Sequence, residues 1–254
     1  FLEGRGVFEF GRGGVGGFRP GGGGFGRGGG DAPTLFYSRR IGRAPTLALD
    51  DHDFADSPSS TTILGAGKLR GKIGRTTLGA MSALTSEENA ELDLGGVRSE
   101  QLVEPLTSYN AARLLHQSED GHRGIGLMGT WVERDLASPQ ARSALVERAT
   151  VLGVDGWTKL DPDKDWAMRG HFSVSRVAGS EESIGDLQLS SRRYYDRPDA
   201  DHVEYDPTRT ALAGWAGRVM VNKESGNWGL NSALGAISPG YEINDMGFQY
   251  RADQ

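Results

Sequence analysis

From Trp166 to Ser175 the chain alternates, with Trp166, Met168, Phe172 and Val174 on one parity and Arg169, His171, Ser173 and Ser175 on the other. A side-chain period of two belongs to a β-strand, so the stretch predicts a strand with one apolar face and one polar, partly cationic face. Weaker versions of the pattern recur over Thr61–Arg70, Arg75–Thr85, Pro105–His116, Arg123–Glu133, Ala149–Lys159, Asp165–Val177, Ile184–Tyr195, Thr210–Asn222, Asn227–Ile237 and Asn244–Arg251. Turn-forming clusters separate them, which predicts an all-β antiparallel meander of about ten strands. Leu35–Ile41 reads as a further short strand. The acidic stretch Ser86–Glu100 reads as a wet loop with a helical turn, and Leu136–Glu147 as a short loop helix limited by Pro139.

The solvent on the apolar side is the next question. Only 37% of residues are hydrophobic and the mean hydropathy is -0.46. No apolar run approaches the roughly 18 residues of a membrane-spanning helix, so a helical membrane protein is excluded. A β-barrel is not, because each strand offers lipid only every second residue. Ten residues at about 3.3 Å each, tilted about 40°, rise about 25 Å, the height of an outer-membrane apolar band. The expected fold for residues 34–254 is therefore part of a transmembrane, outer-membrane-type β-barrel. An arginine on the lipid side costs about 2–4 kcal/mol at mid-membrane, which sets the register. It makes Arg169, His171, Ser173 and Ser175, with Arg218 and Asn222, candidates for a polar lumen. Trp131, Trp157, Trp166, Trp215 and Trp228 are candidates for an aromatic girdle, Trp157 and Trp166 flanking the turn Asp161–Asp165. Alternation by itself fits a soluble β-sandwich equally well, with the tryptophans as core anchors.

Composition alters this picture at the N-terminus. Residues 1–33 are a glycine-rich run broken by Phe8, Phe10, Phe18 and Phe25 and by Arg5, Arg12, Arg19 and Arg27. Such a sequence cannot offset its ordering entropy and is expected to be a flexible loop. Its Arg-Gly-Phe character is also that of RNA-binding segments, but the whole chain carries a net charge of -6, which argues against a nucleic-acid partner. There is no cysteine, hence no disulfide or thiolate chemistry. The chain opens at Phe1 with no leader pattern, and the expectation is an internal piece of a longer protein.

Candidate chemistry is sparse. His52, His116, His122, His171 and His202 form no metal-binding spacing, and neither a nucleophile elbow nor a phosphate-binding loop is present. Asp50, Asp51, Asp53 and Asp56 lack the glycine and closing glutamate of a calcium loop. Arg197, Asp199, Asp201 and His202, with Glu204 and Asp206, make the densest polar cluster. It could hold calcium or a sugar, but a hydrated hairpin loop is the simpler reading. The sequence thus offers no catalytic residue, no metal site and no cofactor.

Several blocks carry a family resemblance. Phe1 to Gly4, Leu35 to Arg43, Thr62 to Leu69, Glu104 to Thr107, Tyr194 to Asp199 and Ser238 to Phe248 occur in an order that resembles the DUF5916 family of bacterial outer-membrane proteins. The resemblance implies a C-terminal β-barrel, often preceded by a module similar to family 9 carbohydrate-binding modules, which this chain lacks. It implies a partial barrel, since such proteins commonly continue with further strands. It also implies outer-membrane lipid as the surroundings and a non-enzymatic role in glycan binding or uptake, with a saccharide as a candidate partner. The alternatives are a membrane-associated carbohydrate-active hydrolase, with Asp199 and Asp201 as its acidic candidates, and a soluble β-sandwich binding module.

Overall fold

The computed structural model describes residues 5–11, 33–161, 163, 165–199, 201–223, 225–249 and 251–253. Its strands in chain order are β1 (Phe54–Asp56), β2 (Ile63–Ile73), β3 (Thr76–Thr85), β4 (Glu88–Leu94), β5 (Val97–Glu104), β6 (Thr107–Gln117), β7 (Arg123–Arg134), β8 (Arg148–Lys159), β9 (Trp166–Ala178), β10 (Ala211–Lys223) and β11 (Leu230–Ile237). Eight of them form an open antiparallel sheet of order β11-β10-β9-β8-β7-β6-β3-β2. Neighbours in space are neighbours in sequence except where β3 passes to β6. β4 and β5 fall in that gap and, with β1 from ahead of β2, form a separate three-stranded sheet of order β1-β4-β5. The fold is thus all-β and antiparallel. No closed cylinder forms among the described residues, because β2 and β11 are the two edges of the large sheet.

The connections are unequal at the two ends of the sheet. At one rim the turns are short: β2 to β3 turns at Gly74, whose φ of +58° suits glycine, and β6–β7, β8–β9 and β10–β11 are linked by brief loops. The other rim carries the small sheet, helix α1 (Pro139–Ala144) and helix α2 (Glu181–Leu189). Both helices start at serine caps. Ser138 Oγ accepts from the Ala141 N–H with Pro139 following it, and Ser180 Oγ accepts from the Ser183 N–H with Glu181 and Glu182 in the first turn.

Four sequence expectations are corrected here. Ile184–Tyr195 is not a strand: the Ser180 cap and the helical spacing of the buried Ile184 and Gln188 make its first half α2. Ser86–Glu100 is not a wet loop but most of the β4–β5 hairpin, which turns on Gly95 and Gly96, both at positive φ, and buries Ala90 and Leu92. Leu35–Ile41 is not a strand: Thr34 bridges to Phe248, and a 3-10 turn follows at Ser38–Arg40. Asn244–Arg251 contributes only the other half of that bridge.

One face of the large sheet is covered and the other is bare. The covering layer consists of residues 7–10, Leu35, α2 and the segment from Tyr241 to Met246, whose apolar side chains join Met81, Tyr109, Met128, Val132, Val151, Val177 and Leu212 in the main core. Two strand glycines permit this close approach. Gly79 lies against Val7, and a Cβ on Gly153 would come within 2.6 Å of the Phe10 ring. The expected flexible segment 1–33 is therefore packed near its start, where Val7, Phe8 and Phe10 are buried. Its glycine-rich stretch, with Phe18, Phe25, Arg12, Arg19 and Arg27, lies outside the described residues.

Candidate functional site

The two faces of the sheet follow from strand parity and register. On β9 the even positions Met168, Phe172 and Val174 are exposed while His171, Ser173 and Ser175 are buried. Pairing carries this division from β3 to β10, while the edge strands β2 and β11 are open on both parities. Leu69, Ala80, Ala112, Gly129, Leu152, Val174 and Trp215 form one lateral row on the bare face. Leu78, Leu114, Leu127, Val154 and Phe172 form the next. Charged residues of this parity occur only at the strand ends: Arg123 and Lys223 at the short-turn rim, Glu133, Arg148 and Arg176 at the other. The small side chains of Ala80, Ala112 and Gly129 leave an apolar trough of about 810 Å³ between the larger rows.

Leu127 is 55% exposed, Leu152 58% and Leu234 83%. Exposed apolar surface on this scale, contiguous across a whole sheet, marks an interaction surface.

The inward face sets buried polar and charged groups among the apolar core. His171 lies opposite Arg218 on β10 and opposite Asp155 on β8, so three titratable groups share one row. Arg169 sits opposite Trp157 and Met220, and Asn222, near the end of β10, is buried. Ser173 Oγ and the Tyr241 hydroxyl are 2.6 Å apart, and Ser175 Oγ accepts from the Glu242 N–H at 2.9 Å. The serines thereby tie the covering segment to the sheet.

Sequence reasoning missed the centre of this network. Arg113 on β6 and Asp155 on β8, each with a side chain 1% exposed, form a two-pronged ion pair, Nη2 donating to Oδ2 at 2.9 Å. The Gly11 N–H also donates to Asp155, at 2.9 Å. The Phe10 ring lies beneath the Arg113 guanidinium, 5.8 Å from its centre, and meets His171 edge-on at 5.7 Å. Parity was the available signal, since Arg113 and Asp155 both fall on the inward set of their strands. Their separation of 42 residues kept them from appearing as a motif.

A second buried pair fixes the covering layer itself. Arg193 Nη2 donates to Glu242 Oε2 and to the Tyr241 carbonyl, both at 2.6 Å. Burial pushes the Glu242 carboxyl up, but Arg193 and the Asn244 N–H outweigh it and hold the group below its ordinary value.

The tryptophans divide. Trp131 and Trp215 are exposed on the bare face toward the rim of long connections. Trp166 and Trp228 sit at the short-turn rim with ring centres 5.9 Å apart, and Lys223 reaches over both. Trp157 departs from the expected girdle. It is buried on the inward face against Gly124 and donates from Nε1 to the Gly121 carbonyl at 3.1 Å. Its odd parity on β8, opposite to that of Leu152 and Val154, is the physical reason.

The loop cluster is drawn together by a residue absent from the original set. Arg197 pairs with Asp253 and, at 3.7 Å, with Asp199, while His202 Nε2 lies 2.8 Å from Asp253. Asp201 is exposed. No group of three metal-ligating side chains occurs among the described residues.

No curated protein and no solved structure matches the chain. The model of the Domain of unknown function (DUF5916) matches residues 30–254, and the chain belongs to that family.

Proposed function

We propose that this sheet is a section of the wall of an outer-membrane β-barrel, with its bare face against lipid and its covered face turned to a plugged lumen. The observation that supports it is the bare face itself: apolar side chains exposed across the sheet, with charge of that parity confined to the strand ends, while Arg113, Asp155, His171 and the serines are buried on the covered face among its apolar core. Water leaves so large an apolar face poorly solvated, whereas lipid solvates the outer rows and a barrel interior accepts the buried polar groups. The strand from Trp166 to Arg176 rises about 25 Å at a barrel tilt, the thickness of the apolar band. Closure would come from strands paired to the open edges of β2 and β11. The polar groups of the lumen bind the covering segment, so the role is structural rather than enzymatic, and recognition or uptake of a glycan would take place at the loops above the plug. By the usual asymmetry of such barrels, the short turns face the periplasm and the rim bearing α1, α2 and the small sheet faces outward.

Expression of the parent polypeptide in a Gram-negative host tests both parts. Recovery in the outer membrane with a heat-dependent shift in gel mobility is expected; recovery in the soluble periplasm would point to a sandwich whose second layer lies elsewhere. This stretch of chain has no cysteine, so Arg98→Cys and Glu119→Cys report orientation without background from it. Arg98, in the small sheet, should react with an impermeant maleimide on whole cells, and Glu119, in the β6–β7 turn, should not.

A further inference from the structure

At the rim of long connections an open cavity of about 250 Å³ is lined by Arg40, Arg43, Arg134 and Arg192, with Ser183 and Asn244 between them. Its acidic members are Asp186, Glu242 and Asp245. Two of these are engaged: Glu242 by Arg193 at 2.6 Å, and Asp245 by Arg134 at 2.8 Å. Asp186 alone then faces Arg40, Arg43 and Arg192, leaving the walls cationic. Arg40 is held below its ordinary value by burial first and by Arg43 and Arg192 next, which reports the same crowding of positive charge.

Donors in this cavity also lack acceptors. The Arg134 side chain is 2% exposed, yet its Nε has no hydrogen-bond partner among the described residues, and neither has Arg43 Nε or Asn244 Nδ2. A buried donor left unmatched costs about 1–3 kcal/mol, more when charged, so several in one cavity point to an acceptor that arrives from solution.

We propose that this cavity is a binding site for a small oxyanion, a carboxylate or phosphate group, held by Arg43, Arg134 and Arg192. Guanidinium forks match the planar or tetrahedral oxygens of such groups, and the volume lies below the roughly 300–1,000 Å³ of sites for larger ligands. The site lies away from the bare face of the sheet, so it stands or falls independently of where that sheet resides.

Titration calorimetry on the full chain, in whichever of buffer or detergent keeps it monodisperse, provides the test, with inorganic phosphate, malonate and uncharged glycerol as probes. Millimolar binding of phosphate alone identifies a phosphate group as the ligand, malonate alone a carboxylate, and both a general oxyanion site. Arg43→Gln and Arg192→Gln remove side chains with no ion-pair partner among the described residues. Neither should lower the melting temperature, and each should weaken binding about tenfold. Asp186→Asn, which removes the opposing charge, should tighten binding. Absence of binding by either anion, equal binding of glycerol, or affinity unchanged in the Arg43→Gln/Arg192→Gln variant would overturn the proposal.

Discussion

The two faces of one sheet are made from the same strands yet obey opposite rules. Outward positions such as Leu127, Leu152 and Phe172 are apolar and exposed, and take no part in the covered core. Inward positions such as Arg113, Asp155 and Ser173 are polar and buried, each paired with a residue distant in sequence. Burial alone would call the first face defective and the second costly. Under the proposed reading the first face is solvated by hydrocarbon, while the second joins an apolar core to buried polar pairs. The comparison can be broken from either side, because a substitution that is severe on one face should be mild on the other unless the assignment of solvents is wrong.

The largest effect belongs to the inward face. Asp155→Ala strands Arg113 without its partner in a site 1% exposed and also removes the acceptor of the Gly11 N–H. A loss of about 3–5 kcal/mol is expected, read from the urea midpoint of the refolded chain. Asp155→Leu combined with Arg113→Met should recover most of it, since two apolar side chains leave no uncompensated charge. The Arg193–Glu242 pair adds a pH dependence of definite sign. The carboxyl is depressed in the folded state, so its stabilisation is complete above the unfolded value near 4.5 and fades as the pH falls through the lower folded value. Glu242→Gln should flatten that acid limb; an acid limb of unchanged slope would show that the pair is not coupled to folding.

The outward face supplies the next effect in size. Leu127→Arg places a cation in the middle of the bare face, between Leu114 and Val154. In a bilayer this costs about 2–4 kcal/mol; against water a surface substitution stays within about 0.5 kcal/mol. Folding into lipid vesicles and into detergent-free buffer, measured side by side, separates the two. A neutral result in vesicles would sink the lipid assignment whatever the inward face does.

How far this contrast could be read in the sequence depended on the range over which each signal acts. Parity is local, so the hairpin strands from β6 to β10 and the opposite exposure of Phe172 and Ser173 were legible in the order of residues alone. Contacts of long separation were not. Gly11 reaches Asp155 across 144 residues, and its neighbour Phe10 reaches His171, from a segment whose composition argued for disorder. The apolar residues of that segment are few, but glycines on the opposing strands let Val7 and Phe10 pack closely. Ile184–Tyr195 shows the converse failure, where a short alternating pattern was overridden by the helix cap at Ser180. The arginines of the rim cavity come from three separate stretches of chain, Arg40 and Arg43 from one, Arg134 and Arg192 from the others, and only the fold brings them together.

The smallest effect is the most local check on parity. Trp157 and Trp215 were expected in one girdle, yet the first is buried inward and the second lies outward, stacked on Phe172 with ring centres 6.1 Å apart. Trp157→Phe loses the hydrogen bond from Nε1 to the Gly121 carbonyl and should cost about 0.5–1.5 kcal/mol. Trp215→Phe keeps an aromatic ring against Phe172 and should change stability by less than about 0.5 kcal/mol. Single-tryptophan versions of the chain add a readout independent of stability. Brominated lipid should quench Trp215 and spare Trp157, because only the outward ring can meet an acyl chain. Quenching of both rings would mean that β8 presents its odd positions to the membrane. Asp155 would then face lipid too, which the depth of the Arg113 pair forbids, so the inward and outward assignments of every neighbouring strand are tested by one residue.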